Sequence, residues 1–291
     1  MAPRHIHRLA VAGSFAAAAL VSLAVLAGCG SGSSSVETQV TPIPEAASTV
    51  PGAAATTVVT SNTLAPGETR LTTAQASTFS RVLVKDNQDG GSAFTAIIPY
   101  GRAATFTLTG EIDWKNYDAK ATLTTKRSDN EAQAPQQMFW SKGQLVQPIV
   151  GLSEAMATKG RPGIEYLRRP IDAKAAPIDR VIVLINSMSN TRPENPILLR
   201  QRDDVVFAGT ATLNGTSYSR FRYGSTTYWA DATGGLGKVE ARFKTFAGPV
   251  EIVFTKKGPR SIALPPDRSI VAANEIPDVL ATLTKTSIAA H

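Results

Sequence analysis

The sequence predicts an α+β fold: a curved, mostly antiparallel sheet forming a half-open barrel, with helices covering its concave face. Three observations carry this expectation. Long stretches alternate apolar and polar residues with a period of two, short turn signals separate them, and one apolar stripe at helical spacing interrupts them midway.

The elements follow in chain order. Thr72 and Gln75 have capping-box spacing, and Phe79, Val82 and Leu83 form an apolar stripe, so a helix is expected from Thr72 to a stop near Asn87 to Gly91. The period then changes to two. Ala104, Phe106, Leu108, Gly110 and Ile112 alternate with threonines and acids, and Tyr117, Ala119, Ala121 and Leu123 repeat the pattern. Further strands are expected at 94–98, 137–140, 145–150, 205–213, 217–223, 227–230, 238–246, 250–255 and 261–264. Between the two groups, Ile178, Val181, Ile182, Ile185 and Met188 recur at helical spacing after Pro177, a first-turn residue, and Asn195-Pro196 is read as the end of that region. A sheet with one apolar face and too few helices to tile it must curl, which yields a half-barrel closed by helices.

The N-terminus sets the compartment. Arg4 and Arg8 precede an apolar run from Leu9 to Ala27 that ends in Leu26-Ala27-Gly28-Cys29, the form of a signal peptide with a lipobox. Cys29 is thus the expected lipidation site and mature N-terminus, because a diacylglyceryl thioether and a further acyl chain anchor stably where one chain would not. An uncleaved membrane span is the alternative, and Gly13, Ser14 and Ser22 weaken it. From Gly30 to about Pro66 the chain is Ser, Thr, Ala, Gly and Pro with few large apolar side chains, a composition that cannot offset chain entropy and reads as a tether. The expected organisation is a signal peptide (1–28), a lipidated N-terminus with linker (29–70), one domain (71–270) and a C-terminal tail with a short helix (271–291).

Composition excludes several chemistries. Cys29 is the only cysteine, so the core must hold without disulfides. His5 and His7 leave with the signal peptide, and only His291 remains, so no Ser-His-Asp, Cys-His or histidine-based zinc site is available. No cofactor and no metal are expected. The formal charge of +7 falls to +5 without Arg4 and Arg8. With no basic cluster interleaved with aromatics, this suits attraction to anionic surfaces and not nucleic-acid binding.

Two fragments imitate catalytic motifs. Ser128-Asp129-Asn130 resembles the middle motif of penicillin-recognising enzymes, but no serine has a lysine three positions on. Gly234-Gly235-Leu236-Gly237-Lys238 has Ala232 and Val239 where a phosphate loop needs Gly and Ser/Thr, so it is read as a hairpin turn. The acids Asp203, Asp204, Glu240 and Glu251 are read as solvated surface groups.

The lipobox, Thr227-Tyr228-Trp229-Ala230-Asp231 running through a Gly turn into Val239-Glu240-Ala241-Arg242-Phe243, then Pro249-Val250-Glu251-Ile252 and Leu264-Pro265-Pro266, together resemble the LppX/LprG-type lipoproteins of actinobacteria. Those proteins share a half-barrel with the LolA/LolB carriers. The resemblance covers about residues 75–270 in layout and implies a hydrophobic pocket for acylated lipids and no catalytic residues. The stretch 151–176, with Arg168-Arg169-Pro170, is longer and more charged than that family's link between strand and helix.

The expected function is a non-enzymatic, exported, membrane-anchored lipoprotein that binds and carries or chaperones acylated envelope lipids, as a monomer. The apolar phases place Phe106, Leu108, Leu123, Phe207, Ala211, Val239 and Phe243 on the concave face beneath a helix bearing Ile182, Ile185 and Met188, and these residues are the candidate lipid-binding set. The competing reading is an adaptor lipoprotein with a filled core and an envelope protein as partner.

Overall fold

The computed structural model describes residues 64–101, 104–127 and 134–289. The lipobox, the linker up to residue 63, Ser128-Asp129-Asn130 and His291 lie outside the described residues.

Thirteen strands of the described residues form one unclosed sheet, mostly antiparallel, built from two meanders. The first contains β2 (Gly91–Tyr100), β3 (Ala104–Asp113), β4 (Asp118–Arg127), β5 (Gln136–Ser141), β6 (Gln144–Pro148) and β7 (Tyr166–Pro170). The second contains β8 (Val205–Leu213), β9 (Thr216–Tyr223), β10 (Thr226–Ala230), β11 (Leu236–Ala241) and β12 (Val250–Thr255). β12 pairs antiparallel with β2 and so fuses the two halves at the centre. The short β1 (Thr69–Arg70) lies along β8 at one edge, and β13 (Ile270–Ala272) runs parallel to β7 at the other.

This order explains the helical insert. β7 lies near one edge and β8 near the other, so the link between them has to cross the sheet. It does so with α4 (Pro177–Asn186) and α5 (Pro196–Gln201), and α4 buries Ile178, Val181, Ile182 and Ile185. Asn195 does not end the helical region: its side chain caps α5 by accepting from the Ile197 amide at 2.9 Å.

The expected N-terminal helix is two helices, α1 (Thr73–Phe79) and α2 (Val82–Asp89). Thr72 caps α1 as its spacing predicts, with Gln75 returning the bond to the Thr72 amide at 2.9 Å. The break at Ser80-Arg81 is stabilised from outside, where the Ser80 and Leu83 carbonyls accept the amides of Glu194 and Asn190 at 3.3 and 3.0 Å. α2 ends on Gly90, whose φ of 85° suits glycine alone at low cost.

The stretch 151–176 is structured in part: it contains α3 (Leu152–Thr158) and β7. With β13 and α6 (Pro277–Ala289) they form a second core of Leu152, Met156, Leu167, Val271, Val279 and Leu280. The segment beyond residue 270 therefore supplies a strand and a packed helix. Two expectations are corrected here. The strand read at 238–246 stops at Ala241, and 261–264 is not a strand.

Candidate lipid-binding face

One row of register partners crosses eight strands: Phe207, Phe221, Tyr228, Val239, Ile252, Ala96, Leu108 and Leu123 face one another in turn from β8 to β4. Paired residues share a face, so this row is the apolar side of the whole sheet. The neighbouring row, from Arg220 and Trp229 through Lys238 and Val253 to Thr95, Thr109 and Thr122, turns the other way. Phe207, Val239, Leu108 and Leu123 of the expected set thus lie on a single line, and Phe106 is two residues from Leu108 on the same face.

α4 roofs that line. Ile182, Ile185 and Met188 belong to the same buried cluster as Leu108, Leu123 and Val239, with Phe106, Phe207 and Phe243 half-buried against it. Leu108, Ile182, Ile185 and Val239 are 0 % exposed and belong to one buried cluster, so solvent reaches neither the helix nor the sheet at these residues. Aromatic rings dominate the β9 and β10 end, where Phe79 stacks on Phe221 at 4.9 Å and Phe207 and Tyr228 flank them.

Two residues of the set sit differently from expectation. Ala211 is on the outer face, opposite Tyr218, because the β8–β9 register shifts between Phe207 and Thr210. Gly209 adopts φ 83° there, and a bulge of one residue reverses the phase of everything after it. Phe243 lies past the end of β11 and reaches the core from a loop, edge-on to Phe246 at 5.5 Å.

Polar contacts fasten α4 to its surroundings. Arg169 of β7 donates to both carboxylate oxygens of Asp179 at 2.6 and 2.8 Å, and the Asp172 amide adds a third bond at 2.7 Å. Trp140 Nε1 of β5 donates to Asn186 at 2.9 Å, and Arg180 donates to Thr245 at 2.7 Å. The strap from Ser189 to Glu194 is held by the two backbone bonds to the α1–α2 break and by Asn87 donating to Ser189 at 3.0 Å. None of these fasteners was legible in the sequence, because each joins residues whose proximity only the topology creates.

Beneath the strap lies a cleft of about 40 Å³ lined by Phe79, Ser80, Leu83, Asn190, Arg192, Glu194, Tyr223 and Tyr228. Burial, with Glu194 and Tyr223 nearby, pushes the Tyr228 hydroxyl up to about 12, so it stays a protonated donor.

The acids read as solvated are paired. Asp203 meets Arg70, Asp204 meets Arg202, and Glu240 and Glu251 share Lys238 at 2.7 and 3.0 Å. Lys238 also lies over the Trp229 ring at 4.9 Å. The glycine turn is a hairpin: the Asp231 carboxylate accepts the Thr233 and Gly235 amides at 2.8 Å each, which occupies the donors a phosphate would use. Among the described residues, no group of three or more His, Cys, Asp or Glu could hold a metal ion, and no helix is long and apolar enough to cross a membrane.

No protein-family model and no curated protein matches the chain. Among solved structures, the chain is similar to LprF from Mycobacterium bovis at 9% identity and a TM-score of 0.36, covering 64% of this chain and 95% of that chain.

Proposed function

We propose that this chain is an exported lipoprotein, anchored through Cys29, that binds acylated lipids between α4 and the concave face of the sheet and catalyses no reaction. The observation that carries the reading is the apolar row across eight strands under one amphipathic helix held by a few side-chain fasteners. Because α4 and the row carrying Leu108 and Val239 are fully buried in one cluster, an acyl chain enters that space only when α4 lifts. Lifting it exposes the row, and the chain restores the lost burial at about 25 cal/mol per Å². The Tyr228 hydroxyl, Arg192 and Glu194 at the cleft supply polar groups for the ester or headgroup end of such a lipid.

The test is native mass spectrometry of the protein after mild extraction from membranes, with lipid analysis of the bound fraction. Acylated lipid at a fixed stoichiometry supports the reading, and a lipid-free protein that takes up none when mixed with envelope lipids defeats it.

The second reading is an adaptor that docks an envelope protein and keeps its core filled. The complete burial of Leu108, Ile182, Ile185 and Val239 favours it. It requires that α4 stay seated while the protein works, which lipid uptake would contradict.

A further inference from the structure

Outside the roofed face, the largest exposed apolar side chains among the described residues that are neighbours in sequence are Ile197 and Leu198 of α5, at 64% and 58% exposure, while the next residue, Leu199, is buried. A soluble surface gains nothing from presenting two adjacent large aliphatic residues on a helix whose core contact is made by a third. Their setting is cationic. From Ser189 to Arg202 the chain carries Arg192, Arg200 and Arg202 against the single acid Glu194. Arg202 is bound to Asp204, whereas Arg192 and Arg200 are exposed and pair with no acid among the described residues.

The patch also lies where the N-terminal segment joins the fold. β1 follows directly from that segment and pairs with β8, and Arg70 of β1 donates to the Arg202 carbonyl at 3.1 Å and meets Asp203, the two residues just after α5. An anchored chain and the Ile197-Leu198 patch therefore share one edge of the sheet. The strap that lines the cleft, including Arg192 and Glu194, leads straight into α5.

We infer that α5 is a membrane-contact element: Ile197 and Leu198 seat in the interfacial layer of an anionic bilayer while Arg192 and Arg200 pair with its phosphates, presenting the strap and its cleft to the lipid. This rests on the anchored lipid-binding reading above and adds to it the face that meets the membrane. The chemistry is complementary on both counts, since apolar side chains flanked by arginines are what an anionic interface retains.

The experiment uses the full mature chain. Acylation occupies Cys29, so Leu198→Cys supplies a single free thiol for an environment-sensitive fluorophore, and Lys142→Cys, in the exposed β5–β6 turn, supplies the control. Each is mixed with phosphatidylcholine vesicles, with and without phosphatidylglycerol. The inference expects a blue shift and protection from an aqueous quencher at position 198 with phosphatidylglycerol present, and neither at position 142. Adding Arg192→Gln and Arg200→Gln should lower the partition constant of the contact by about fivefold per arginine, corresponding to about 1 kcal/mol for each basic residue at an anionic surface.

A chain that floats with the vesicles through its anchor while position 198 stays as quenchable as position 142 overturns the inference and leaves the anchored reading standing. A chain that neither floats nor responds at position 198 overturns both. Ile197→Ser added to the Leu198→Cys protein should keep its melting temperature and lower the protection at position 198, and undiminished protection in that folded variant counts against the proposal.

Discussion

Asp179 of α4 is completely buried, and both of its oxygens accept from the guanidinium of Arg169 on β7. A buried pair of this kind contributes little net stability over an apolar replacement, but breaking it by removing one partner strands a charge. Arg169→Ala should therefore lower stability by about 3 kcal/mol or more, and Arg169→Met with Asp179→Leu should recover most of that loss. Urea unfolding of the three proteins checks the ordering. If the double variant is as unstable as the single one, the pair holds α4 in a way apolar packing cannot replace.

The sign of a pH effect follows from Asp86 on α2. Burial raises its carboxyl to about 6, against the opposing pull of Lys257 at 2.6 Å, and Oδ2 has no hydrogen-bond partner among the described residues. A carboxyl raised in the folded state contributes stability that is present below its unfolded value near 4 and is lost as pH rises through 6. Lowering the pH from 7 to 5 should thus stabilise the protein, on the order of 1 kcal/mol per unit at most. Glu68 and Asp204 act oppositely, since the hydrogen bonds from Arg222 and Arg202 lower their carboxyls, and their contribution is lost only at more acid pH. Asp86→Asn should flatten the upper part of the profile, measured as melting temperature against pH.

Because the β8 bulge turns Ala211 outward, bulk added there does not probe the space beneath α4. Ala211→Trp adds bulk on the outer face and should change stability by less than about 0.5 kcal/mol, with lipid content unaltered. Ala96, wholly buried in the cross-sheet row, is the informative position. Ala96→Phe should cost about 1 to 3 kcal/mol by overpacking if helix and sheet remain closed. A variant that keeps its melting temperature but loses bound lipid would show instead that the row faces a space the lipid fills.

What was readable in the sequence was whatever depends on neighbours along the chain. The alternation in β3 and β4, the Thr72–Gln75 capping box, Pro177 at the start of α4 and the hairpin turn at Gly234 to Lys238 all rest on residues within a few positions of one another. Features set by distant partners were hidden. β7 did not read as a strand because Arg168 and Arg169 interrupt any apolar phase, and Arg169 is tolerated facing α4 only because Asp179 neutralises it. α3 is seven residues long, with Leu152 and Met156 as its buried positions, too short a pattern to count. Ala211 was placed on the wrong face by one residue, since an alternating pattern carries no mark of a bulge beyond Gly209 itself. The break between α1 and α2 depends on the strap residues Asn190 and Glu194, more than 100 positions away.

Cys29→Ala should move the exported protein from the membrane fraction to the soluble fraction, because Cys29 is the only cysteine that can take the thioether-linked lipid. Fractionation with an antibody to the folded domain checks it. Membrane partitioning unchanged by the substitution would remove the anchor from the proposed function.

The fastener between Trp140 and Asn186 separates a lid that opens from a helix that is merely packed. Trp140 is buried, and its Nε1 donates to Asn186 at the C-terminal end of α4. Asn186→Ala leaves that indole N–H without an acceptor, at a cost of about 1 to 3 kcal/mol. Where α4 moves as a lid, the cost falls on the closed state alone, so amides of residues 178–188 should exchange with solvent faster while those of β2, β3 and β4 keep their protection. Lipid exchange between protein and vesicles should quicken in the same variant. Where α4 is inseparable from the core, the loss spreads to the whole domain, and exchange rises in the central strands by the same factor as in α4. Hydrogen exchange measured across both regions on this one variant therefore decides whether the space under α4 can be opened without unfolding the sheet, the step on which acyl-chain binding depends.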